Sequence, residues 1–412
     1  MKKQTSIILI SSLALFSMFF GAGNLIFPPS LGFRAGTDFG WSMLGFLTTG
    51  VGLVVLSAVA SVKSGGTIDS LSKNVGKSFS ILFGTLVLLA IGPLLAIPRT
   101  AATTHEIIRG SLLPGLSPTL SSVIFFIIVL FFVLHPKNII DSLGKFLTPA
   151  LLTILLIILG CGFAKPIGSI GRPEMSNAFT ESLLEGYQTM DALAALVFTM
   201  IITEGMVCKG VGEKKKIVKY TSIAAVVAGI GLCIVYSGLL YIGATMSEMP
   251  LEGTDRVHLL ITATDTLLGG FGKYALALAV SLACLTTAIG ITSTLGLFFE
   301  EVTKGKLKYL HVVLISSVFS GILAIEGVTN IINFAATILS VLYPVAIVLI
   351  FLNLFPNVFK TKAIYRGAVT GALIPTLLAF IIDINTFMWI PSTIVFGLIF
   401  YIFSSKKNII SS

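Results

Sequence analysis

The chain has 412 residues, of which 55% are hydrophobic and only 11% are charged. Soluble domains carry about 25% charged residues, so this chain lacks the charged surface of a cytosolic enzyme, a nucleic-acid-binding protein or a disordered tail. The surplus of apolar side chains must face lipid, which predicts an integral membrane protein. The four cysteines show no Cys-x-x-Cys spacing and the four histidines are isolated, so neither set predicts a disulfide or a metal site.

Apolar runs long enough to cross a membrane recur along the whole chain. A spanning helix needs about 20 mostly apolar residues. Twelve such runs, called spans 1 to 12 below, lie near residues 6–28, 41–62, 79–98, 120–136, 146–164, 187–207, 219–244, 271–298, 310–326, 330–354, 363–382 and 387–404. The runs are continuous rather than alternating, which argues against a β-barrel. No cleavage signal follows span 1, so we expect it to be a retained helix.

The basic residues fall unevenly on the two sides of the predicted spans. With twelve spans, 20 of the 27 lysines and arginines lie on one side, including Lys137, Lys145 and the basic run 212–219. The other seven are Arg34, Arg99, Arg109, Lys165, Arg172, Arg256 and Lys273. Because basic loops remain in the cytoplasm, we predict a multi-pass protein of the cell membrane with both termini cytoplasmic.

Two of the apolar segments are interrupted by residues that disfavour a helix. Span 1 contains Phe-Gly-Ala-Gly-Asn at 20–24, and the entry to span 6 contains Glu-Gly-Tyr-Gln-Thr-Met-Asp at 185–191. Lipid cannot satisfy free backbone groups, so an interrupted helix at membrane depth must line a protein cavity. Alternatively, the glycines only let another helix approach closely. Asn24 and Asp191, which have no surface to reach, favour the first interpretation.

The two interruptions lie five spans apart, and an odd offset inverts the second copy relative to the first. This spacing is typical of two inverted five-helix repeats whose interrupted helices meet near the membrane midplane. We therefore predict a first repeat over 1–164, a second over 165–354, and spans 11 and 12 with a cytoplasmic C-terminus over 355–412. The opened helix ends would offer N–H groups to a carboxylate and carbonyl groups to a cation.

Span 8 carries two adjacent threonines, Thr286 and Thr287. In a membrane helix such hydroxyls usually bond back to carbonyl oxygens of their own helix. The alternative is that they bind a bare cation together with carbonyl oxygens of a broken helix. Hydroxyl and carbonyl oxygens are hard ligands, which suit Na⁺ better than a soft metal.

Four stretches closely resemble the bacterial branched-chain amino acid carriers, the leucine/isoleucine/valine:cation symporter family of the amino acid–polyamine–organocation superfamily. They are ALFSMFFGAGNLIFPPSLG (14–32), IGPLLAIPRTAATTHE (91–106), EGYQTMDALAALVF (185–198) and LACLTTAIGITS (282–293). The resemblance covers essentially the whole chain. It implies an all-α LeuT-type fold of 5+5 inverted helices with helices 1 and 6 discontinuous and two extra C-terminal helices. It also implies Na⁺-driven uptake of leucine, isoleucine and valine by alternating access.

The resemblance further implies a sodium site between spans 1 and 8. The more distant leucine and neurotransmitter sodium symporters share the fold, and their unwound Gly-x-Gly-Asn stretch resembles 21–24. Aligning on it implies carbonyl ligands at Ser17, Phe20 and Ala283 and hydroxyl ligands at Thr286 and Thr287. The second sodium site of those relatives needs an asparagine in span 7, and residues 220–244 contain none, so we expect a single coupling ion.

A branched-chain amino acid is a zwitterion with an apolar side chain, and each part needs different partners. We expect the carboxylate to bind the N–H groups around Ala22, Gly23 and Asn24. We expect the ammonium to bind carbonyl oxygens at Phe19, Gly186, Tyr187 and Gln188. Candidates for the apolar pocket are Met190, Ala194, Phe198 and residues 93–97.

Asp191 is the intramembrane carboxylate that we expect to have a function, since such groups are rare without one. It can hold the substrate ammonium, bind a proton, or cap the second half of span 6. Arg99 is expected to extend to the outer membrane interface, with pairing to Glu106 or a gating role as alternatives. Glu204 lies near the inner end of span 6, where it can gate the exit or pair with a lysine.

Two other classes of function remain as alternatives. A proton-coupled symporter of another amino acid or an amine would use Asp191. A membrane enzyme would need clustered nucleophile, base or metal ligands, and the sequence shows no such cluster, so we predict no enzyme. The expected partners are the amino acid substrate, Na⁺ as coupling ion and the lipid bilayer, with no organic cofactor, nucleic acid or obligate protein partner.

Overall fold

The computed structural model describes residues 2–134, 148–251, 255–382 and 385–410. Regular structure in these ranges is helical throughout. Lys137, Lys145 and the adjoining ends of spans 4 and 5, on which part of the predicted charge asymmetry depends, lie outside the described residues.

The helices of the first part of the chain follow the predicted spans, with interruptions inside several of them. In chain order they are α1 (Lys2–Phe19), α2 (Ala22–Ala35), α3 (Phe39–Leu47), α4 (Leu53–Ser64), α5 (Ile68–Ser72), α6 (Lys77–Leu89), α7 (Ala96–Ser111), α8 (Pro118–Val133) and α9 (Thr148–Ala164). Short π-helical turns at Thr48–Gly52 and Ala90–Leu94 join α3 to α4 and α6 to α7.

The second part continues in the same manner. Its helices are α10 (Ala178–Tyr187), α11 (Asp191–Cys208), α12 (Lys214–Ala244), α13 (Arg256–Leu268), α14 (Gly270–Val302), α15 (Tyr309–Leu323), α16 (Val328–Leu354), α17 (Lys362–Leu378) and α18 (Trp389–Ile410). The helix α13 lies in the connection between spans 7 and 8 and was not among the predicted spans, because its polar residues break the apolar pattern.

Several helical segments are long and apolar enough to cross a bilayer. Among the described residues seven segments meet this criterion, namely Ala22–Ser64, Lys77–Ser111, Ala178–Cys208, Lys214–Ala244, Gly270–Val302, Tyr309–Glu326 and Val328–Leu354. Shorter apolar helices are Gln4–Phe19, Pro118–Val133, Leu151–Ala164 and Trp389–Ser404. Large apolar side chains such as Ile315, Ile381 and Phe403 are exposed, which is expected for a surface that faces lipid. The chain is therefore a multi-pass membrane protein.

Local backbone chemistry separates α1 from α2 and α10 from α11. Gly21 has an extended conformation (φ −108°, ψ −162°) between α1 and α2. Within α2, Pro28 and Pro29 cannot donate to the carbonyl groups four residues earlier, which leaves polar backbone near the helix start. Met190 lies in the left-handed region (φ 65°), which a non-glycine residue rarely adopts, and it directly precedes α11.

The helices that flank the two interruptions pack closely against other helices. Helix α2 packs on α12, α10 on α3, α11 on α4, and α7 on α14. The contact of α2 with α12 depends on two glycines, because a β-carbon on Gly32 would clash with the Leu240 carbonyl and one on Gly243 with Pro29. Small residues permit this backbone-to-backbone approach in membrane proteins. The packing places both chain interruptions in the same buried region.

Candidate functional site

A hydrogen bond joins the two interruptions directly. The Asn24 side chain, near the start of α2, donates from Nδ2 to the Asp191 carboxylate at 2.5 Å and to the Phe19 carbonyl oxygen at 2.9 Å. It also contacts the hydroxyl group of Tyr236 on α12, which lies 3.4 Å from Asp191 Oδ2. All three polar side chains are buried. Residues that are 167 positions apart therefore form one polar cluster at the two breaks.

Asp191 is the first residue of α11, and the residue that caps this helix is Met190. Its carboxylate accepts hydrogen bonds from Asn24 and Tyr236, which belong to other helices. A carboxylate in the first turn is also favoured by the helix dipole. Asp191 thus links α2, α11 and α12, in addition to the stabilisation that it gives to the start of its own helix.

Arg99 lies inside this region, so the expectation that it extends to the outer interface is wrong. Its side chain is only 3% exposed. Nη1 donates to the Gln188 carbonyl oxygen at 2.6 Å and Nη2 to that of Thr189 at 3.3 Å. These carbonyl groups follow the last turn of α10, where helix carbonyls lack internal partners and favour a cation. Glu106, the alternative partner, instead accepts a hydrogen bond from the N–H group of Val328.

The two glycines of the span 1 interruption each make room for a side chain of another helix. A β-carbon on Gly21 would lie 2.9 Å from Thr287 Oγ1, and one on Gly23 would lie 2.9 Å from Arg99 Nη2. Close approach and helix interruption, which the sequence presents as alternatives, thus occur together at these positions. The interruption brings α7 and α14 into contact with the same short stretch of backbone.

The predicted sodium residues are brought together in part. Thr286 Oγ1 lies 2.8 Å from the Ser17 carbonyl oxygen and 2.9 Å from the Ala283 carbonyl oxygen. Thr287 Oγ1 lies 3.1 Å from the carbonyl oxygen of Met18, a residue that the sequence did not single out. Oxygen atoms of α1 and α14 therefore converge at this contact, where the threonine hydroxyl groups donate hydrogen bonds to the carbonyl oxygens.

Phe20, the fifth predicted sodium residue, contributes packing to this region. Its ring stacks on Phe16 at 5.4 Å and on Tyr236 at 5.9 Å, and its N–H group donates to the Phe16 carbonyl oxygen. A role for its own carbonyl oxygen stays a prediction.

The carbonyl groups predicted for the substrate ammonium already accept hydrogen bonds within the chain. The Gly186 carbonyl oxygen accepts from Thr189, that of Tyr187 from the Met190 N–H group, and that of Gln188 from Arg99. A carbonyl oxygen has two lone pairs, so those of Tyr187 and Gln188 retain the capacity for one further donor, whereas that of Gly186 already accepts from both the hydroxyl and the N–H group of Thr189.

Side chains beside the second interruption fix its position. Gly186 is packed so closely against Thr49 of the first π-helical turn that a β-carbon would clash with it. The Tyr187 ring stacks on the buried Tyr343 ring of α16 at 4.4 Å. The ring of Phe198, a predicted pocket residue, lies 5.9 Å from that of Phe19. Aromatic groups are thus packed around the polar cluster. Ala22, a residue predicted to bind the substrate, begins α2 next to Gly21.

The polar cluster between the two interruptions is covered by side chains at one end and not at the other. On the side of Arg34 and Arg256, the Arg256 guanidinium binds both carboxylate oxygens of Glu185 at 2.7 Å, and Arg34 binds Glu181 at 2.9 Å. The centre of the Phe27 ring lies 4.7 Å from the Arg256 guanidinium carbon and 5.6 Å from that of Arg99.

At the opposite end a cavity of about 250 Å³ lies between α6, α11 and α14, with Lys77, Met200 and Glu301 among its lining residues. Glu204, also near this end, is exposed on α11. The ion pairs therefore cover one end of the region, while the other end contains open space.

Arg99 and Tyr236 are the two residues of the cluster that the sequence did not assign to a binding site. A signal for Arg99 existed, because an arginine inside an apolar run is costly in lipid and marks a function by default. Tyr236 carried a weaker signal, because tyrosines are common in membrane helices and its partner on α2 is unknown until the helices are packed.

Comparisons with known proteins give relatives along almost the whole chain. Residues 3–401 match the protein family described as "Branched-chain amino acid transport protein". A Pseudomonas aeruginosa protein named "Branched-chain amino acid transport system 2 carrier protein" is 38% identical over 352 residues, which is 84% of this chain and 79% of the relative. The "Branched-chain amino acid permease BrnQ" of Bacillus subtilis is 38% identical over 385 residues, covering 91% and 87%.

Solved structures of other transporters share the fold at low sequence identity. Mhp1, a nucleobase-cation-symport-1 family transporter in a closed conformation, aligns with a TM-score of 0.61 at 14% identity and covers 95% of this chain and 91% of its own. MhsT in complex with L-phenylalanine aligns with a TM-score of 0.52 at 15% identity, covering 96% and 98%. At this identity the comparison establishes the fold alone.

Proposed function

Because the chain belongs to the branched-chain amino acid transport protein family, we propose that it imports leucine, isoleucine and valine by Na⁺-coupled symport across the cell membrane. The protein is a membrane transporter rather than an enzyme, and its fold is LeuT-like. The observation that carries the proposal is the hydrogen bond from Asn24 to Asp191, which places two helix interruptions side by side in a buried polar cluster. Exposed peptide groups at membrane depth are suited to bind a zwitterion.

The substrate is proposed to lie between the two interruptions. Its carboxylate would bind the N–H groups of Ala22, Gly23 and Asn24 at the start of α2, where the helix dipole favours an anion. Its ammonium would bind near Asp191 and carbonyl oxygens at Phe19, Gly186, Tyr187 and Gln188. Its branched side chain would contact Met190, Ala194 and Phe198. Leucine, isoleucine and valine differ by about one methylene, worth only about 1–3 kcal/mol in an apolar pocket, so weak discrimination among them is expected.

The coupling ion is proposed to bind where α1 meets α14. Carbonyl oxygens of Ser17, Phe20 and Ala283 and the hydroxyl oxygens of Thr286 and Thr287 are its proposed ligands. The observed distances of 2.8 and 2.9 Å from the Thr286 hydroxyl group to the carbonyl oxygens of Ser17 and Ala283 support these members of the set, while Thr287 lies 3.1 Å from the carbonyl oxygen of Met18 instead of that of Phe20. Entry of a cation is assisted by the membrane potential, at about 2.3 kcal/mol per charge per 100 mV.

Transport is proposed to proceed by alternating access of a twelve-span protein with cytoplasmic termini. Residues 1–164 and 165–354 would form the two inverted repeats, with two further spans over 355–412. The ion pair of Arg256 with Glu185 would then close the outer side. The cavity at Lys77 and Met200 would lie on the cytoplasmic side. Together they correspond to a state closed to the outside.

A proton-coupled symport of another amino acid or an amine is the second candidate. The observation in its favour is the burial of the Asp191 carboxylate, which is 4% exposed and accepts hydrogen bonds from the neutral Asn24 and Tyr236 side chains. Buried carboxylates of this kind serve as proton sites in membrane transporters. The second candidate differs from the first in the driving ion and in the substrate, and both can be measured.

Uptake into proteoliposomes that contain the purified protein tests the proposal. Labelled leucine uptake is measured with Na⁺, pH and membrane potential varied one at a time. We expect accumulation to follow the inward Na⁺ gradient, to increase with a negative interior, and to be inhibited by isoleucine and valine. Accumulation that follows the pH gradient in the absence of Na⁺ would select the second candidate, and no uptake of any branched-chain amino acid would reject the first.

A further inference from the structure

The guanidinium group of Arg99 has a donor that the described part of the chain does not satisfy. Its two terminal nitrogens donate to the carbonyl oxygens of Gln188 and Thr189. The third nitrogen, Nε, is buried and has no hydrogen-bond partner among the described residues. A buried charged donor without an acceptor is costly, so such atoms normally meet a ligand or an ordered water molecule. Arg99 is thus prepared to bind a hydrogen-bond acceptor.

An unsatisfied acceptor lies on the residue that Arg99 contacts. The side-chain oxygen Oε1 of Gln188 is also buried without a partner among the residues that the structure describes. One free donor and one free acceptor at the same interruption match a ligand that carries both kinds of group. The carboxylate and ammonium of an amino acid supply these two groups on one carbon atom.

The surroundings of Arg99 favour an anion beside it. Its Nη2 atom lies close to Gly23, since a β-carbon there would be only 2.9 Å away. Gly23 is in the first turn of α2, whose N–H groups carry partial positive charge. A guanidinium next to a helix N-terminus is unfavourable unless an anion interacts with both. Asp191 interacts electrostatically with Arg99, but its carboxylate is hydrogen-bonded by Asn24 and Tyr236 and leaves the Arg99 Nε donor without an acceptor.

We propose that Arg99 binds the carboxylate of the transported amino acid together with the N–H groups at the start of α2. The inference rests on the proposed function and adds to it a substrate-binding side chain from α7. A guanidinium group provides charge and several donors in one plane. It therefore binds a carboxylate better than the ammonium group of a lysine would. Arg99 therefore makes the transporter select amino acids over amines that have the same branched side chain.

The test compares leucine with 3-methylbutylamine, which is leucine without its carboxylate. Dissociation constants are obtained from the ligand-dependent rise in melting temperature of the full-length protein at saturating Na⁺. This readout also reports whether each variant is folded. We expect the wild type to bind leucine at least 100-fold more tightly than the amine. Arg99→Gln should weaken leucine binding about 10- to 100-fold and leave amine binding nearly unchanged, so that the ratio collapses.

Two further variants separate binding from a purely structural role. Arg99→Lys keeps the charge but loses the planar donors, and it should give a ratio between those of the wild type and Arg99→Gln. Arg256→Gln removes a guanidinium from the other contact on Phe27, and it should retain the wild-type ratio.

Two outcomes would overturn the inference while leaving the proposed function intact. In the first, Arg99→Gln weakens the binding of leucine and of the amine equally. In the second, both Arg99→Lys and Arg99→Gln keep the wild-type ratio of the two dissociation constants. If Arg99→Gln does not fold, an unchanged ratio in Arg99→Lys overturns it. Failure of the wild type to bind leucine at all would instead reject the proposed function.

Discussion

Gly23 and Arg99 occupy adjacent space, with the Nη2 atom only 2.9 Å from the point where a β-carbon on Gly23 would lie. Gly21, two residues earlier, has the same relationship to Thr287 Oγ1 on α14. The short interruption of span 1 thus touches the proposed carboxylate ligand with one glycine and a proposed sodium ligand with the other. Replacing one or the other glycine with alanine therefore disturbs one of the two contacts at a time.

Alanine at each glycine should therefore affect a different ligand. Gly23→Ala displaces Arg99 and should raise the dissociation constant of leucine about tenfold or more, with a smaller effect on Na⁺ binding in the absence of leucine. Gly21→Ala displaces Thr287 and should weaken Na⁺ binding measured without leucine. Each variant is the matched control for the other, and both are measured by thermal shift. Identical effects of the two substitutions on both ligands would show that they only disturb helix packing.

The sequence predicts the spans well because lipid imposes a simple rule. A helix that crosses the bilayer must be long and apolar, so α12 and α16 lie within a few residues of spans 7 and 10. The helix α13 escapes this rule, since it mixes charged and polar residues with apolar ones and lies in a connection. The Asp255 side chain caps the start of α13, and an aspartate at this position is a common marker of a helix start in soluble proteins.

The positions of the two interruptions could be predicted because backbone chemistry dictates them. The glycines and polar residues at 20–24 and 185–191 mark the interruptions without any tertiary information. The location of Arg99 depends on the approach of α10 to α7, which brings the Gln188 and Thr189 carbonyl groups within its reach. The pairing of Thr287 with Met18 similarly depends on the rotation of α14 about its axis, which one sequence does not specify.

Removal of both hydroxyl groups at the α1–α14 contact should abolish Na⁺ stimulation of uptake. The double variant Thr286→Ala/Thr287→Ala eliminates two of the five proposed oxygen ligands and should weaken Na⁺ binding tenfold or more. The matched control is Ser293→Ala/Thr294→Ala on the same helix, because these hydroxyl groups donate to carbonyl groups of their own helix, at 2.7 and 2.9 Å, rather than to those of α1. The measurement is leucine uptake against external Na⁺ concentration. Unchanged Na⁺ dependence in a folded Thr286→Ala/Thr287→Ala protein would contradict the site.

Asp191→Asn distinguishes substrate binding from proton coupling. The substitution preserves the shape of the side chain and its ability to accept from Asn24, but it removes the charge that would balance the substrate ammonium. With Na⁺ as the driving ion, leucine affinity should fall about tenfold, while uptake still depends on the Na⁺ gradient. Tyr236→Phe, which keeps the carboxylate and removes one donor to it, is the control. Uptake driven by a pH gradient in the wild type and lost in Asp191→Asn would support proton coupling instead.

The ion pair between Arg256 and Glu185 should set the balance between outward-open and closed states. The guanidinium binds both carboxylate oxygens at 2.7 Å, and the pair is mostly shielded from solvent above the Phe27 ring. Bidentate pairs of this kind are stronger than exposed ones, so Glu185→Gln should cost the closed state roughly 1–2 kcal/mol, a 5- to 30-fold shift in population. The same shift makes the binding-competent outward state more abundant.

Glu185→Gln should consequently lower the KM for external leucine and reduce the maximal uptake rate, because closure becomes less favourable. Glu181→Gln is the matched control, since its pair with Arg34 at 2.9 Å is more exposed and should give a smaller change in both quantities. The measurement is the concentration dependence of initial uptake rates at fixed Na⁺. A KM that rises in Glu185→Gln, or an effect no larger than that of Glu181→Gln, would show that this pair does not hold the outer side closed.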